Sequence, residues 1–104
     1  MPDFYCKNIL RNKIKFKKIK ETENVLAFFH TKPNYEFHVV IIPKEHIANL
    51  TDVQDIKIIQ EIFEVIKSIV KEKKLINYRI IMNNGKFQDS KHLHFHLISD
   101  EYGK

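Results

Sequence analysis

The clearest pattern of hydrophobic and polar positions lies in the second half of the chain. Apolar residues recur there at helical spacing, which predicts an amphipathic helix of about two dozen residues. Its apolar stripe comprises Val53, Ile56, Ile59, Ile62, Phe63, Ile66, Ile69 and Val70. Thr51 and Gln54 have the spacing of a capping box, so we expect Thr51 to be the N-cap. Ile58 and Val65 widen the stripe and suggest a second packing surface, such as one for a partner subunit.

Five other stretches have the character of β-strands. Residues 13–17 alternate lysine with apolar side chains, which is typical of an edge strand with one lysine-covered face. Residues 25–30 and 37–42 are apolar or β-branched and are separated by a Pro-containing break, which predicts an antiparallel pair. Residues 78–82 and 91–98 complete the set. Residues 4–12 fit a short helix or an irregular arm, and residues 100–104 fit a frayed tail.

The order of these elements predicts the fold class. Three strands, one long helix and two further strands favour an α+β fold, with an antiparallel sheet of about five strands and the helix packed on one face. A chain of 104 residues is long enough for one hydrophobic core, so we expect a single domain over residues 1–104.

Composition narrows the class of partner only slightly. The formal charge of +5 would suit an anionic ligand. The basic stretch near the N-terminus contains only Phe16 as an interleaved aromatic residue, so nucleic-acid binding is disfavoured. One cysteine, Cys6, cannot form an internal disulfide, which favours a reducing, cytoplasmic location. No apolar stretch approaches the ~20 residues that a membrane span requires.

The strongest chemical signal is the segment 92–96. On a strand, His92, His94 and His96 lie on one face while the alternate apolar residues enter a core. Two chemistries fit this arrangement. The imidazoles could chelate a metal ion, with Asp89, Asp100 or Cys6 as a further ligand, or one imidazole could attack phosphorus while its neighbours position it. The pattern alone leaves both open.

Segment 92–96 resembles the H-φ-H-φ-H signature of the histidine triad (HIT) superfamily. Residues 25–28 (VLAF), 38–46 (HVVIIPKEH) and 78–85 (YRIIMNNG) are similar to further blocks of that family, in the same order, and Gln88 stands four residues before His92. The resemblance implies a metal-independent hydrolase without cofactors that binds AMP-type purine nucleotides. It would act at the α-phosphorus of nucleoside phosphoramidates or related adducts, usually as a homodimer.

The resemblance also implies a role for each site residue. His94 would be the nucleophile that forms a nucleotidyl-histidine, and His96 would contact the α-phosphate and assist the leaving group. His92 and His38 would hold the array by hydrogen bonds. The predicted substrate-binding residues are Asn83 and Gln88 as donors to phosphate, Phe28 beside the base, and His30 and Asp89.

Several positions depart from the family pattern. His30 stands where an aspartate commonly binds ribose, Asp89 is a carboxylate beside the expected phosphate, and the loop before Gln88 is short and carries Lys86 and Phe87. These departures keep a HIT-fold nucleotide-binding or interaction protein with little catalysis as an alternative, beside a metal-binding protein. We expect Cys6 to be a buried thiol and His46 to be structural.

Overall fold

In the computed structural model, the described residues are 5, 9–11 and 15–100. Three expectations fall wholly or largely outside them: the arm over residues 4–12, the buried thiol of Cys6 and the tail after Asp100. These stay predictions.

The described residues form five strands and one α-helix in the predicted order. The elements are β1 (Lys18–Glu21), β2 (Val25–Phe29), β3 (Phe37–Pro43), α1 (Lys57–Glu72), β4 (Arg79–Met82) and β5 (Phe95–Ser99). The strands make one antiparallel sheet in the order β1-β2-β3-β5-β4. The α+β architecture with one helix on a five-stranded antiparallel sheet is therefore confirmed.

Alternation along β3 divides the core into two layers. Val39 and Ile41 point to the face covered by α1, whereas Val40 and Ile42 point to the opposite face. The helix layer also contains the apolar partners of the histidine segment, Leu93, Phe95 and Leu97. The period of two in a strand thus places the histidines away from the helix.

The helix begins later than the sequence predicts. It spans 16 residues from Lys57, and Thr51 lies in a separate 3-10 turn, Leu50–Asp52. The Asp52 carboxylate accepts the Asn49 N–H at 3.0 Å, and Asp55 accepts the Lys57 N–H at 3.0 Å. Because short polar side chains satisfy backbone donors at two successive points, the segment divides into a turn and a helix.

The predicted second packing surface on the helix is wrong at the two positions chosen for it. Val65 is only 3% exposed and Ile58 packs against the same core layer. Phe63, assigned to the stripe, is instead 43% exposed while one side of its ring contacts Phe95. The apolar stripe is therefore rotated slightly about the helix axis from the predicted one.

Two strands are shifted along the chain. The first is Lys18–Glu21, which pairs with β2 from Lys18 opposite Phe28 onward, and residues 15–17 of the predicted strand precede it. Residues 13 and 14 lie outside the described part of the chain. The edge position of the strand is confirmed. The last begins at Phe95 rather than residue 91. The Leu93 N–H donates to the Ile47 carbonyl at 2.6 Å, so this part of the chain is bound to the loop that follows β3.

In the part of the chain that the structure describes, no helix has the length and apolar character needed to cross a membrane.

Candidate active site

Two adjacent strands bring His38 and His96 together. Val40 of β3 lies opposite His96 of β5, and His38 lies opposite Ile98. His38 and His96 are therefore diagonal neighbours on one face, within reach of each other. Their ring nitrogens, His38 Nε2 and His96 Nδ1, are 2.9 Å apart.

A backbone donor determines the direction of this hydrogen bond. The Asn34 N–H donates to His38 Nδ1 at 3.2 Å, so a neutral His38 carries its proton on Nε2 and donates it to His96 Nδ1. His96 then carries its own proton on Nε2. The pair presents a hydrogen-bond donor, His96 Nε2–H, to the site.

His92 and His94 are held by backbone carbonyls. His92 Nε2 contacts the Pro43 carbonyl at 2.8 Å, and His94 Nδ1 contacts the His92 carbonyl at 2.7 Å. Since a carbonyl only accepts, the contacting nitrogen of His94 bears the proton and its Nε2 keeps a free lone pair. The rings of His94 and His96 meet edge to face, with centroids 4.9 Å apart.

Burial keeps these imidazoles neutral. It lowers the pKa of His38 to about 4, aided by the nearby His30. Burial, followed by the charges of His94, His38 and His30, lowers the pKa of His96 to about 4. Burial also lowers the pKa of His94, while the His92 carbonyl and the negative charge of Asp89 oppose this shift. At neutral pH His38, His94 and His96 are therefore uncharged.

A cavity of about 260 Å³ opens beside the histidines. Phe28 and Val40 form its apolar wall, and Asp89 and the partly exposed His30 form part of its polar rim. Tyr5 also lines it, with its ring centroid 5.0 Å from that of His94. A larger cavity of about 380 Å³, near the end of β4, is lined by no histidine. The smaller cavity is therefore the better ligand site.

His30 and Asp89 occupy the rim in different ways. The Lys32 N–H donates to His30 Nδ1 at 2.9 Å, and the His30 ring lies over that of His38 with centroids 4.3 Å apart. Asp89 is exposed, and its charge raises the pKa of both His30 and His94. Asp89 thus acts on the histidines electrostatically.

Gln88 is buried in a different arrangement from the expected phosphate donor. Its amide nitrogen donates to the Ala48 carbonyl at 2.7 Å, and its buried Oε1 has no hydrogen-bond partner among the described residues. Asn83 is partly buried and follows β4 directly. Continuing the pairing of Met82 with Phe95 by one step places Asn83 beside His94.

A clasp of two reciprocal hydrogen bonds joins the loop that follows β3 to the loop that follows β4, which carries Asn83 and Gln88. The Leu50 N–H donates to Asn84 Oδ1 at 2.9 Å, and the Gly85 N–H donates to Asn49 Oδ1 at 3.0 Å. Lys91 Nζ donates to the Gly85 carbonyl at 2.9 Å. Gly85 has a φ of +64°, which glycine adopts without strain. The clasp fixes the short loop that precedes the histidines.

The metal hypothesis placed its ligands on His92, His94 and His96, and the structure does not support that set. Among the residues described, the histidines whose nitrogens lie within 4.8 Å of one another are His30, His38 and His96. The other two hypothesised ligands, His92 and His94, each contact a backbone carbonyl through one ring nitrogen instead.

Several groups at the site carry no signal in the sequence. The Asn34 N–H and the Pro43 carbonyl are backbone groups. Every residue type supplies a backbone carbonyl, and every type except proline supplies a backbone N–H. Tyr5 lies far from the histidines in sequence, in a segment whose conformation the pattern left open. Only the apolar character of residue 5 hinted at a packed position.

Comparisons with known proteins agree with this geometry. A family model described as HIT domain matches residues 11–102. The chain is 38% identical over 96 residues to the adenosine 5′-monophosphoramidase of Saccharomyces cerevisiae, an alignment that covers 90% of this chain and 60% of that protein. The chain thus spans less than two thirds of the length of that relative. Against the adenosine 5′-monophosphoramidase of Schizosaccharomyces pombe, identity is 34%, covering 99% of this chain and 80% of the relative.

Solved structures show the same likeness. A histidine triad protein from Clostridium difficile superposes with a TM-score of 0.84 at 36% identity, covering 94% of this chain and 90% of the other. A histidine triad nucleotide-binding protein from Candida albicans gives a TM-score of 0.83 at 33% identity, covering 92% and 73%. The fold, the histidine array and the extent of the match together lead to one conclusion: the chain belongs to the HIT domain family.

Proposed function

We propose that the chain hydrolyses adenosine 5′-phosphoramidate or related nucleotidyl adducts through a covalent intermediate on His94. The observation that carries the proposal is the 2.7 Å contact between His94 Nδ1 and the His92 carbonyl. It leaves the Nε2 lone pair of a neutral imidazole free, which is the nucleophile that such a reaction needs. Two relatives are named adenosine 5′-monophosphoramidases, which supports the choice of substrate.

In the first step, His94 Nε2 attacks the α-phosphorus and the bond from phosphorus to the leaving nitrogen breaks. The leaving nitrogen takes up one proton from solvent and departs as the free amine. The neutral His96 donates a hydrogen bond from its Nε2–H to the phosphoryl group, in an orientation that the His38–His96 hydrogen bond fixes. The attack makes the His94 ring cationic. The His92 carbonyl and the charge of Asp89, both of which raise the pKa of His94, favour that cation.

In the second step, a water molecule attacks phosphorus and the bond between phosphorus and His94 breaks. The water loses one proton to solvent, and the nucleoside monophosphate is released. Protein groups supply the nucleophile and the electrostatic stabilisation. The nucleoside would occupy the 260 Å³ cavity, with its base against Phe28 and Val40.

The test is hydrolysis of adenosine 5′-phosphoramidate in EDTA by wild type and by His94→Ala. We expect wild type to turn over and the variant to lose several decades of kcat/KM. Mass spectrometry of rapidly quenched wild type should show one added adenylyl group, absent from His94→Ala. Lys71→Gln, at an exposed residue of α1 on the opposite side of the sheet from the histidines, is the control. Equal rates for wild type and His94→Ala would overturn the mechanism.

A second candidate is a nucleotide-binding protein with little catalysis. The arrangement of Gln88 favours it, because its amide nitrogen already donates to the Ala48 carbonyl. In that case AMP would bind to wild type, while phosphoramidate hydrolysis would be negligible in both wild type and His94→Ala. Calorimetric titration with AMP beside the rate assay separates the two candidates.

We also propose that the chain forms a homodimer through the edge strand β4. Ile80 of β4 is 38% exposed and pairs with Leu97, on the helix side of the sheet. Phe63 of α1 is 43% exposed on the same side, beside Phe95. An unpaired strand edge flanked by exposed apolar side chains is suited to pairing with a second copy. Light scattering should give a dimer for wild type and a monomer for Ile80→Lys, while Leu50→Lys stays dimeric.

We propose a cytoplasmic location, because the one cysteine, Cys6, has no second cysteine in the chain to pair with. Subcellular fractionation tests this. Recovery of the protein from an oxidising compartment would contradict it.

A further inference from the structure

Three imidazoles converge at the mouth of the cavity: those of His38 on β3, His96 on β5 and His30 at the end of β2. One ring nitrogen from each of His30, His38 and His96 lies within 4.8 Å of the others. His30 follows β2 directly and lies over His38, with 4.3 Å between ring centroids. His38 Nε2 and His96 Nδ1 are already 2.9 Å apart.

We propose that His30, His38 and His96 form a binding site for a divalent transition-metal ion such as Zn²⁺. Neutral imidazole is a preferred ligand of zinc, and three protein ligands with one open position are a common zinc arrangement. Tetrahedral zinc with Zn–N bonds of 2.0–2.1 Å holds its ligand nitrogens about 3.4 Å apart. Modest rotation of the three rings brings these nitrogens from within 4.8 Å to that spacing. Since His30 lines the cavity, an ion can enter from solvent.

The hydrogen bonds of the metal-free site define what binding must change. Lys32 and Asn34 donate their backbone N–H groups to Nδ1 of His30 and His38, so both rings carry their proton on Nε2. Coordination through Nε2 moves each proton to Nδ1 and releases both backbone donors. No net proton is lost, because each ring stays neutral. Both donors belong to exposed residues of one loop, so water can satisfy them after release.

His96 needs no change of tautomer. Its Nδ1 accepts a hydrogen bond in the metal-free state, and the same lone pair can bind the ion. The negative charge of Asp89, which acts on His30, adds electrostatic support for a cation at this place. Metal binding therefore replaces the hydrogen bond between His38 and His96 with two metal–nitrogen bonds.

This replacement predicts that metal binding inhibits catalysis, a consequence that rests on the proposed function, whereas binding itself does not. With His38 and His96 held by the ion, the orientation of the His96 ring changes, and its Nε2–H no longer points at the phosphoryl group. The ion also occupies the mouth of the nucleotide cavity. Zinc and substrate are then expected to compete.

The binding test titrates Co²⁺ into chelator-treated protein and follows the visible absorption of tetrahedral cobalt, with Zn²⁺ as the displacing ion. Wild type and His46→Gln should bind one equivalent with the same spectrum. His30→Gln, which removes one ligand, should bind at least about tenfold more weakly. Circular dichroism checks the fold of each variant, and His38→Gln gives a second ligand deletion. Absence of binding by wild type, or wild-type affinity in both ligand variants, would overturn the site.

The activity test measures hydrolysis of adenosine 5′-phosphoramidate with Zn²⁺ and after EDTA, each protein compared with its own metal-free rate. Zn²⁺ should slow wild type at least tenfold, EDTA should restore it, and His30→Gln should be inhibited much less. Hydrolysis in EDTA without any metal binding would reject the metal site and keep the proposed function. Metal binding without hydrolysis in EDTA would do the reverse.

Discussion

His38 Nε2 donates a hydrogen bond to His96 Nδ1 across 2.9 Å. This bond directs the remaining His96 proton towards the site, so its loss should slow catalysis without removing the nucleophile. We expect His38→Ala to lower kcat/KM for adenosine 5′-phosphoramidate about a hundredfold. His38→Gln, whose side-chain amide can still donate, should recover part of the loss. Identical rates for the two variants would show that the donor is unimportant.

The lowered pKa values of His38 and His96, both about 4, predict how activity depends on pH. The neutral rings are the working forms, and burial lowers the pKa of the nucleophile His94 as well, so kcat/KM should persist below the ordinary histidine pKa of 6.5. A pH–rate profile measures this, with circular dichroism at each pH to confirm folding. A loss of activity centred near 6.5 would contradict the expected protonation state.

The same two histidines link stability to pH. In the unfolded chain they bind protons near pH 6.5, whereas in the folded chain they do so only near pH 4. The unfolded state therefore binds more protons between these values, and the free energy of unfolding should fall as the pH drops from 6.5 towards 4. Urea denaturation at pH 7 and pH 5 tests this. His38→Gln should show a smaller change between the two pH values than wild type.

Gly85 gives a prediction about backbone conformation alone. Its φ is +64°, and a Cβ added there would meet no atom within 4 Å. Gly85→Ala should thus lower the free energy of unfolding by about 1–2 kcal/mol through backbone strain. Asn tolerates this conformation better, so Gly85→Asn should be less destabilising. Urea denaturation measures the free energy of unfolding of both variants. An equal loss in the two variants, larger than about 1–2 kcal/mol, would indicate a steric clash instead of backbone strain.

Side-chain periodicity predicted which histidines share a face but left their protonation open. Alternation places His92, His94 and His96 away from Leu93, Phe95 and Leu97, as observed. The choice of tautomer depends on backbone groups, such as the Asn34 N–H and the Pro43 carbonyl. These groups are the same in every residue type apart from the missing N–H of proline, so only the folded geometry shows which histidine they reach.

The start of the helix was mispredicted for a related reason. Several short polar residues in succession, among them Thr51, Asp52 and Asp55, could each cap a helix. The structure uses Asp52 for a 3-10 turn and Asp55 for the first turn of α1. The tertiary packing of Val53, which lies between them and contacts the core, distinguishes these choices. Sequence spacing contains no information on that packing.

The clasp between Asn49 and Gly85 has a consequence for the chemical ageing of the chain. Asn84 precedes Gly85, and an Asn-Gly pair deamidates when the glycine nitrogen attacks the asparagine side chain to close a succinimide. Here the Gly85 N–H is bound to Asn49 Oδ1, and Asn84 Oδ1 is bound to the Leu50 N–H. Ring closure must first break both bonds. The folded protein should therefore resist deamidation at this pair, and unfolded chains should accumulate aspartate and isoaspartate there first.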